Sequence, residues 1–600
     1  MLVYGHRSVC LSTGDALADF IKRLERLPAS PAHDDLRSLL VDWGEIESGV
    51  ADAFSLERDD ELETLTLWRR VSDSLADAMC ASWVHDDAAL GSALARCIRF
   101  VGALRQAVWP ADVAVRTAEG FAYHGLYPEQ YASAADAFLD ACQPRSILCL
   151  GLRSIGSILA HVVAAASRLR GLSAHTRSVR PRGHPFNRQI ITTARLDRAI
   201  AGMNVDYAVI VDEGPGLSGS SFMSAVDYLI GLGLRYDRIV LFPSWPAAAR
   251  QLRSARARGG WDRQRQFIGK FDALWSSARS SADSGGPVED LSAGRWRTRV
   301  LTDDRQWPPV NPQHERRKFL SGSAPAVLSK FVGLGRRARI LERRAVRLAE
   351  GGFGPSILGV ENGFLRHEWI EGWPIPEHTP DTLTRFARYL AFIRAHFATG
   401  EPDRAEEMRE MAAVNVREAL SPSAVRAMHL LIDGGEAFRE PKVAVDGRML
   451  PYEWISTPRG LFKVDALEHH DDDFWPGCRD IAWDVAGTIV EFDFEGAARE
   501  FFIAAYERAA KDRTIGRRLP LYEAAYLAYR IGYANLSFTS LQDSDEGPAF
   551  SRLEDRYRHL LAARLGCDHR TSPRLPSPAE RQRGEKDRSA FPESTSAPRE

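Results

Sequence analysis

Cysteine is scarce. The chain has seven in 600 residues, at positions 10, 80, 97, 142, 149, 478 and 567, with no CxxC pair and no histidine cluster at zinc spacing. That composition gives neither a disulfide framework nor a zinc module and fits reduced thiols in a cytoplasm. No run approaches the roughly 18 apolar residues of a membrane span. The opening "MLVYGHRSVCLSTGDALADF" also lacks the basic-then-apolar order of a signal peptide. Neither sign of charge dominates: 78 Lys and Arg stand against 80 Asp and Glu, a formal net charge of -2. Global electrostatics therefore make no case for a nucleic-acid or membrane-surface partner. Internal repeats are absent too. The expectation is a cytoplasmic protein with small-molecule partners.

At 600 residues the chain exceeds what one core usually serves, so several domains are expected. Residues 1–112 read as a helical region, because segments such as "DALADFIKRLERL" and "LETLTLWRRVSDSLADAMC" repeat apolar residues at three and four. From 113 to 275 the pattern changes. Short β-branched runs ("SILCLGL", "YAVIV", "RIVLFPSW") alternate with helix-like segments, which predicts a parallel α/β sheet under a helical hood. Residues 276–295, rich in Ser and Gly, read as a linker. A small sheet is expected over 296–375 and a helical lobe over 376–566, together an α+β half, and the polar segment 567–600 reads as disordered.

The stretch "VDYAVIVDEGPGLSGSSFMSAVDYL", residues 205 to 229, concentrates the chemistry of the first half. A buried strand ending in Asp212 and Glu213 offers carboxylates to vicinal hydroxyls. Ser218, Gly219, Ser220 and Ser221 then offer hydroxyls and backbone N–H groups at a helix N-terminus, which suits a phosphate. A ribose 5-phosphate meets both requirements. These residues resemble the signature of the type I phosphoribosyltransferases, although the hydroxyls are Ser rather than Thr and "GPGL" lengthens the loop by about one residue.

That resemblance implies a Rossmann-like topology, phosphoribosyl pyrophosphate and a nucleobase-like acceptor as substrates, Mg2+ on the diphosphate, and often a homodimer. Gly151, Arg153, Ser154 and Gly156 resemble the family's pyrophosphate loop. Residues 177–189, with Arg177, Arg180, Arg182, His184 and Arg188, sit where the family carries a mobile lid. Asp212, Glu213, Arg153 and Arg180 are then the catalytic candidates, and Tyr123 and Tyr127, with Phe121, are candidates to stack on a flat acceptor. The plain alternatives are a Gly-rich turn at 212–221, an exposed basic loop at 177–189 and a core aromatic run at 121–131.

In the second half, Lys330 in "AVLSKFVG" precedes a helix carrying Glu342, the order of a nucleotide-phosphate lysine and its helix partner. From about residue 311 to 500 the layout resembles the aminoglycoside phosphotransferase branch of the kinase-like fold, including "CRDIAWDVAGTIVEF". This implies ATP as a further substrate, Asp446 near the nucleotide and Asp465 as a Mg2+ ligand. The catalytic loop departs from the branch: "AVDGRMLPYEWI" lacks the His of His-Gly-Asp, and Glu453 stands near the Asn position. Asp446-Gly447 also reads as a hairpin turn. The run Asp471 to Asp473 after His469 and His470 reads as a solvated loop or as metal ligands. A different reading of the whole chain is a nucleotide sensor or scaffold with a degenerate kinase-like half.

Overall fold

The computed structural model describes all residues except 4–7, 272–287, 323–324, 375–377, 401–404, 435–439, 473, 475–476 and 568–600. Most of the expected linker and nearly all of the polar C-terminal segment therefore lie outside the described residues. The chain divides into two compact units: a first of His6–Trp296 with Pro312–Ile370, and a second of Met1–Gly5, Arg297–Asn311 and Glu371–Glu600.

The first unit opens with strand β1 (Ser8–Ser12), which pairs antiparallel with β2 (Asp112–Arg116). β1 was not foreseen in a region read as helical. Four helices follow β1: Thr13–Glu25, His33–Phe54, Glu63–Trp83 and Asp87–Leu104. Local chemistry sets two of their starts, since Ser12 accepts from the Asp15 amide and Asp86 from the Ala89 amide. Their apolar stripes meet at Trp43, which stacks on Trp68 at 4.8 Å and donates to Ser72 Oγ at 2.9 Å.

The hood covers a five-stranded parallel sheet of β3 (Ser146–Leu152), β4 (Ser173–Val179), β5 (Tyr207–Val211), β6 (Ile239–Phe242) and β7 (Arg265–Gln266). Its order is β4-β3-β5-β6-β7. The central strands β3, β5 and β6 are almost continuously apolar because both faces are covered, whereas β4 and the short β7 carry polar residues. Cys149, Val209, Val211 and Phe242 pack into one core with the hood, while their neighbours Leu148, Leu150, Ile210 and Leu241 pack into the core on the other face. The strand order reverses between β3 and β5, and ligands of open α/β sheets bind outside the carboxyl ends at such a point.

A second, antiparallel sheet belongs to the same unit: β8 (Val288–Asp290), β9 (Lys318–Ser321), β10 (Val327–Phe331), β11 (Ile357–Glu361) and β12 (Phe364–Glu368), in the order β11-β12-β10-β9-β8. β8 thus falls within the stretch read as linker. Asn362 (φ 50°) and Gly363 (φ 75°) close the β11–β12 hairpin, where Asn-Gly meets the need for two positive φ angles. Phe319, Phe331 and Phe364 join the hood core, so this sheet packs with the N-terminal half.

The second unit has a three-stranded antiparallel sheet of β13 (Trp373–Pro374), β14 (Trp454–Thr457) and β15 (Gly460–Lys463). Around it lie helices that include Pro380–His396, Ala405–Ala419, Ala482–Glu491, Ile515–Leu541 and Gly547–Arg564. Trp483 packs against Tyr526 and Tyr529 in its interior. Among the described residues no helix is long and apolar enough to cross a membrane.

Candidate functional site

At the switch point the chain after β3 and the chain after β5 come together through glycine. A Cβ on Gly156 would stand 2.3 Å from Val211 O, and one on Gly151 2.3 Å from Gly156 O, so neither position admits a side chain without moving backbone. Asp212 leaves β5 with Oδ1 accepting from the Glu213 amide at 2.9 Å and its carbonyl accepting from Tyr131 at 2.7 Å. Burial pushes its carboxyl up to about 7, against the pull of the Glu213 amide and Arg180. Glu213 Oε2 accepts from the Gly120 amide at 2.6 Å.

The loop then turns through Gly219 (φ 65°) into the helix Ser220–Gly231. Ser218 Oγ lies 3.0 Å from Ser220 Oγ and accepts from the Ser220 amide. Ser220 Oγ in turn donates to Pro185 O at 2.6 Å, tying this loop to the 177–189 segment. Ser221 follows in the first turn of the helix, and Ser154 immediately precedes the helix Ile155–Leu169 without a side-chain capping bond. Asp212–Glu213 with the Ser218–Ser221 loop, and the Arg153–Ser154 turn, therefore follow the carboxyl ends of the neighbouring strands β5 and β3.

The arginines are placed differently from a loose basic lid. Arg153 is buried and pairs with Asp52 (2.9 Å) and with Asp59. Arg180 pairs with Asp52 and donates to Arg153 O at 2.8 Å, Arg182 reaches Asp59 at 2.8 Å, and Arg177 reaches Glu61 at 2.8 Å. Burial works to raise the Asp52 carboxyl, but Arg180 and Arg153 overcome it and hold the group below its ordinary value. Sequence reasoning missed Asp52, Asp59 and Glu61, because a carboxylate on an amphipathic helix (Asp52) or in the connection after it (Asp59 and Glu61) looks like a solvated one.

Tyr123 and Tyr127 correct the acceptor-side expectation. They are 4% and 5% exposed. Arg316 and Arg337 lie 4.6 and 4.8 Å from the Tyr123 ring, while Tyr127 packs on Phe271 and Phe331 and donates to Asn362 O at 2.5 Å. Phe121 is buried as well, so the aromatic run fills the core instead of presenting a platform.

Lys330 lies buried on β10 opposite Leu365, and Glu342 sits on the helix Gly335–Glu350 with Oε1 accepting from the Val360 amide at 3.1 Å. In the second unit, Asp446 is fully buried. The amides of Asp446 and Gly447 donate to Asp484 at 2.7 and 2.8 Å, and Tyr389 donates to Asp446 Oδ2 at 2.5 Å. No strand flanks Asp446-Gly447, so the hairpin alternative is corrected: the pair is a buried loop anchored by a helix carboxylate.

Lys463 stands between Asp446 (3.3 Å) and Glu453 (2.8 Å) and also donates to Asp465 O. Burial alone lowers the lysine's proton affinity, but Asp446 and Glu453 reverse this and keep it an ammonium. Arg448 adds a second cation at 2.9 Å from Glu453. Sequence reasoning named neither Lys463 nor Asp484, although Asp484 lies in the quoted "CRDIAWDVAGTIVEF" and Lys463 two residues before Asp465. Asp465, Glu468 and His469 bring three donor atoms within 4.8 Å of one another. Asp473 of the acid run lies outside the described residues.

No protein-family model and no curated protein matches the chain. Over about half its length the structure is similar to solved kinase-like proteins. One is a choline/ethanolamine kinase family protein from Mesorhizobium loti, at 17% identity over 49% of this chain and 97% of that one, TM-score 0.34. Another is choline kinase LicA from Streptococcus pneumoniae, at 16% identity over 49% and 98%, TM-score 0.34. A third is an aminoglycoside phosphotransferase from Alicyclobacillus acidocaldarius, at 14% identity over 48% and 95%, TM-score 0.30. None of the three is a phosphoribosyltransferase, and that resemblance gains no support from them. At such identity and TM-score, the chemistry of both sites stands on their own residues.

Proposed function

We propose that the chain binds phosphoribosyl pyrophosphate at the carboxyl edge of its parallel sheet and transfers the phosphoribosyl group to a small nucleobase-like acceptor. The observation that carries this reading is the acid pair Asp212–Glu213 at the strand-order reversal, beside a helix N-terminus rimmed by Ser218 and Ser220. In the reaction the bond from the anomeric carbon to pyrophosphate breaks and a bond to the acceptor forms. The protein's part is positional and electrostatic. The carboxylates of Asp212 and Glu213 take the ribose hydroxyls, and the Ser218–Ser221 loop takes the 5-phosphate. The Gly151–Ser154 loop approaches the diphosphate with backbone amides. Mg2+ prefers hard oxygen donors, which the diphosphate and these two carboxylates supply; bound there, it would screen the charge on the leaving group. Arg153 and Arg180 reach the diphosphate only by leaving Asp52 and Asp59.

Thermal unfolding with and without phosphoribosyl pyrophosphate and Mg2+ tests this reading. A ligand-dependent rise in Tm for the wild type, absent in Asp212→Asn/Glu213→Gln, is expected. Equal behaviour of the two proteins would sink it.

For the second half we favour a kinase-like reading whose candidates are taken unit by unit: Lys330 and Glu342 in the first unit toward a nucleotide phosphate, and Asp465 in the second toward a metal. One observation favours a sensing or scaffolding role over phosphotransfer there: the Lys463 ammonium sits between Asp446 and Glu453, so both carboxylates of the loop are already ion-paired. ATP binding without hydrolysis supports the sensor. Hydrolysis abolished by Asp465→Asn supports transfer.

A further inference from the structure

Residues 244–254, between β6 and the short helix Ala255–Gly260, form a strap that is bonded at both ends to the loop following the acid pair. The Ser244 amide donates to Gly214 O at 3.0 Å and its hydroxyl to Glu213 O. At the far end the Arg253 amide donates to Leu217 O at 2.9 Å and the Ser254 amide to Ser218 O at 3.3 Å. A Cβ on Gly219 would stand 2.9 Å from Leu252 Cδ1 and 3.0 Å from Ala257 Cβ, so the strap also closes on the turn into the helix Ser220–Gly231. Leu252 and Ser254 are buried there, while Arg253 between them is exposed.

The loop 212–221 carries two acids and no basic residue. Its hydroxyls and amides are neutral, whereas a phosphate monoester bears roughly -1.5 to -2 charges at neutral pH. The arginines of the neighbouring segments are committed elsewhere: Arg153, Arg180 and Arg182 to Asp52 and Asp59, and Arg177 to Glu61. Beyond the strap, Arg256 pairs with Asp227 at 3.0 Å and Arg258 donates to Arg253 O at 2.7 Å. Among the described residues the Arg253 guanidinium has no carboxylate or hydrogen-bond partner, and its backbone is tied to the hydroxyl loop itself.

We infer that Arg253 is the cation of the 5-phosphate subsite and selects phosphorylated riboses. The guanidinium fork takes two phosphate oxygens in a charge-assisted pair, and the Ser218–Ser221 loop supplies hydroxyls and amides to the rest of the group. Because both the strap and the loop are fixed by backbone bonds, the long side chain alone has to reorient on binding. The inference rests on the reading of the β5 end as a phosphoribosyl site and adds a residue that neither the acid pair nor the hydroxyl loop contains.

The test titrates ribose 5-phosphate and, separately, inorganic pyrophosphate into the full chain with Mg2+ present. Arg253→Gln is expected to weaken ribose 5-phosphate about tenfold to a hundredfold, the range of a hydrogen bond to a charged group, and to leave pyrophosphate unchanged. Arg250→Gln, which alters another exposed arginine of the strap, is expected to keep both affinities. Ribose 5-phosphate binding that survives Arg253→Gln but is lost in Asp212→Asn/Glu213→Gln overturns the inference and leaves the ribose site standing. Equal losses in Arg253→Gln and Arg250→Gln overturn it in favour of a diffuse field, and a wild type that does not bind ribose 5-phosphate removes both the inference and the site. If Arg253→Gln fails to fold, Arg253→Lys decides: a severalfold loss for ribose 5-phosphate alone supports the fork, and an unchanged affinity overturns it.

Discussion

Arg153 and Asp59 form an ion pair whose side chains are each 2% exposed, joining the loop after β3 to the chain beyond the second hood helix. Asp52, Arg180 and Arg182 complete the cluster. The cations expected to meet a diphosphate, Arg153 and Arg180, are therefore already engaged by protein carboxylates.

Removing one partner leaves the other charge buried, so Asp59→Asn is expected to destabilise the first unit by about 3–5 kcal/mol. Urea unfolding followed by tryptophan fluorescence reads this. A loss below about 1 kcal/mol, the scale of exposed pairs, would mean that the cluster is solvated in solution.

Asp212 gives a pH dependence with a definite sign. Its folded carboxyl is raised to about 7 from an ordinary value of 3.8. Below pH 4 both states are protonated and the group costs nothing. As pH rises toward 7 the unfolded state releases the proton first, so stability falls, and it levels off above 7. Asp212→Asn removes that dependence. Its stability relative to wild type is expected to grow by a few kcal/mol between pH 4 and 7 and to stay flat beyond. A pH-independent difference contradicts this assignment.

Much of the first site was legible in the sequence because it is local: Val211, Asp212 and the Ser218–Ser221 loop follow one another, and a continuously apolar strand announces a sheet covered on both faces. What stayed hidden depends on distant chain. Asp52 and Asp59 meet Arg153 across about a hundred residues, and no periodicity marks the carboxylate of a helix end or of the connection after it as buried. Tyr127 was misread for the same reason, since its partner Asn362 lies 235 residues away. In the second unit the Asp446 loop was seen, but its anchor Asp484 and the neighbouring Lys463 are recognised only from side-chain geometry.

Asp484 holds two backbone N–H groups of the Asp446 loop. Each buried donor left unsatisfied costs about 1–3 kcal/mol, so Asp484→Ala is expected to lower stability by roughly 2–6 kcal/mol. Amide hydrogen exchange is the check: faster exchange at Asp446 and Gly447 is expected, and unchanged protection there rules out the anchoring role.

Gly151 has no room for a methyl group, with Gly156 O at 2.3 Å from the Cβ position, whereas Gly231 has nothing within 4 Å. Gly151→Ala is expected to cost about 1–3 kcal/mol and to abolish ligand binding at the switch point. Gly231→Ala is expected to change stability by less than about 1 kcal/mol, near the helix preference of Ala over Gly. Equal Tm values for the two variants would contradict the close approach.

Isothermal titration of phosphoribosyl pyrophosphate with Mg2+ into the wild type and Asp212→Asn/Glu213→Gln tests the central claim most directly. A 1:1 binding heat in the wild type that vanishes in the folded variant is the predicted result. No heat with the well-folded wild type, or equal heats in both proteins, contradicts a ribose site at the end of β5.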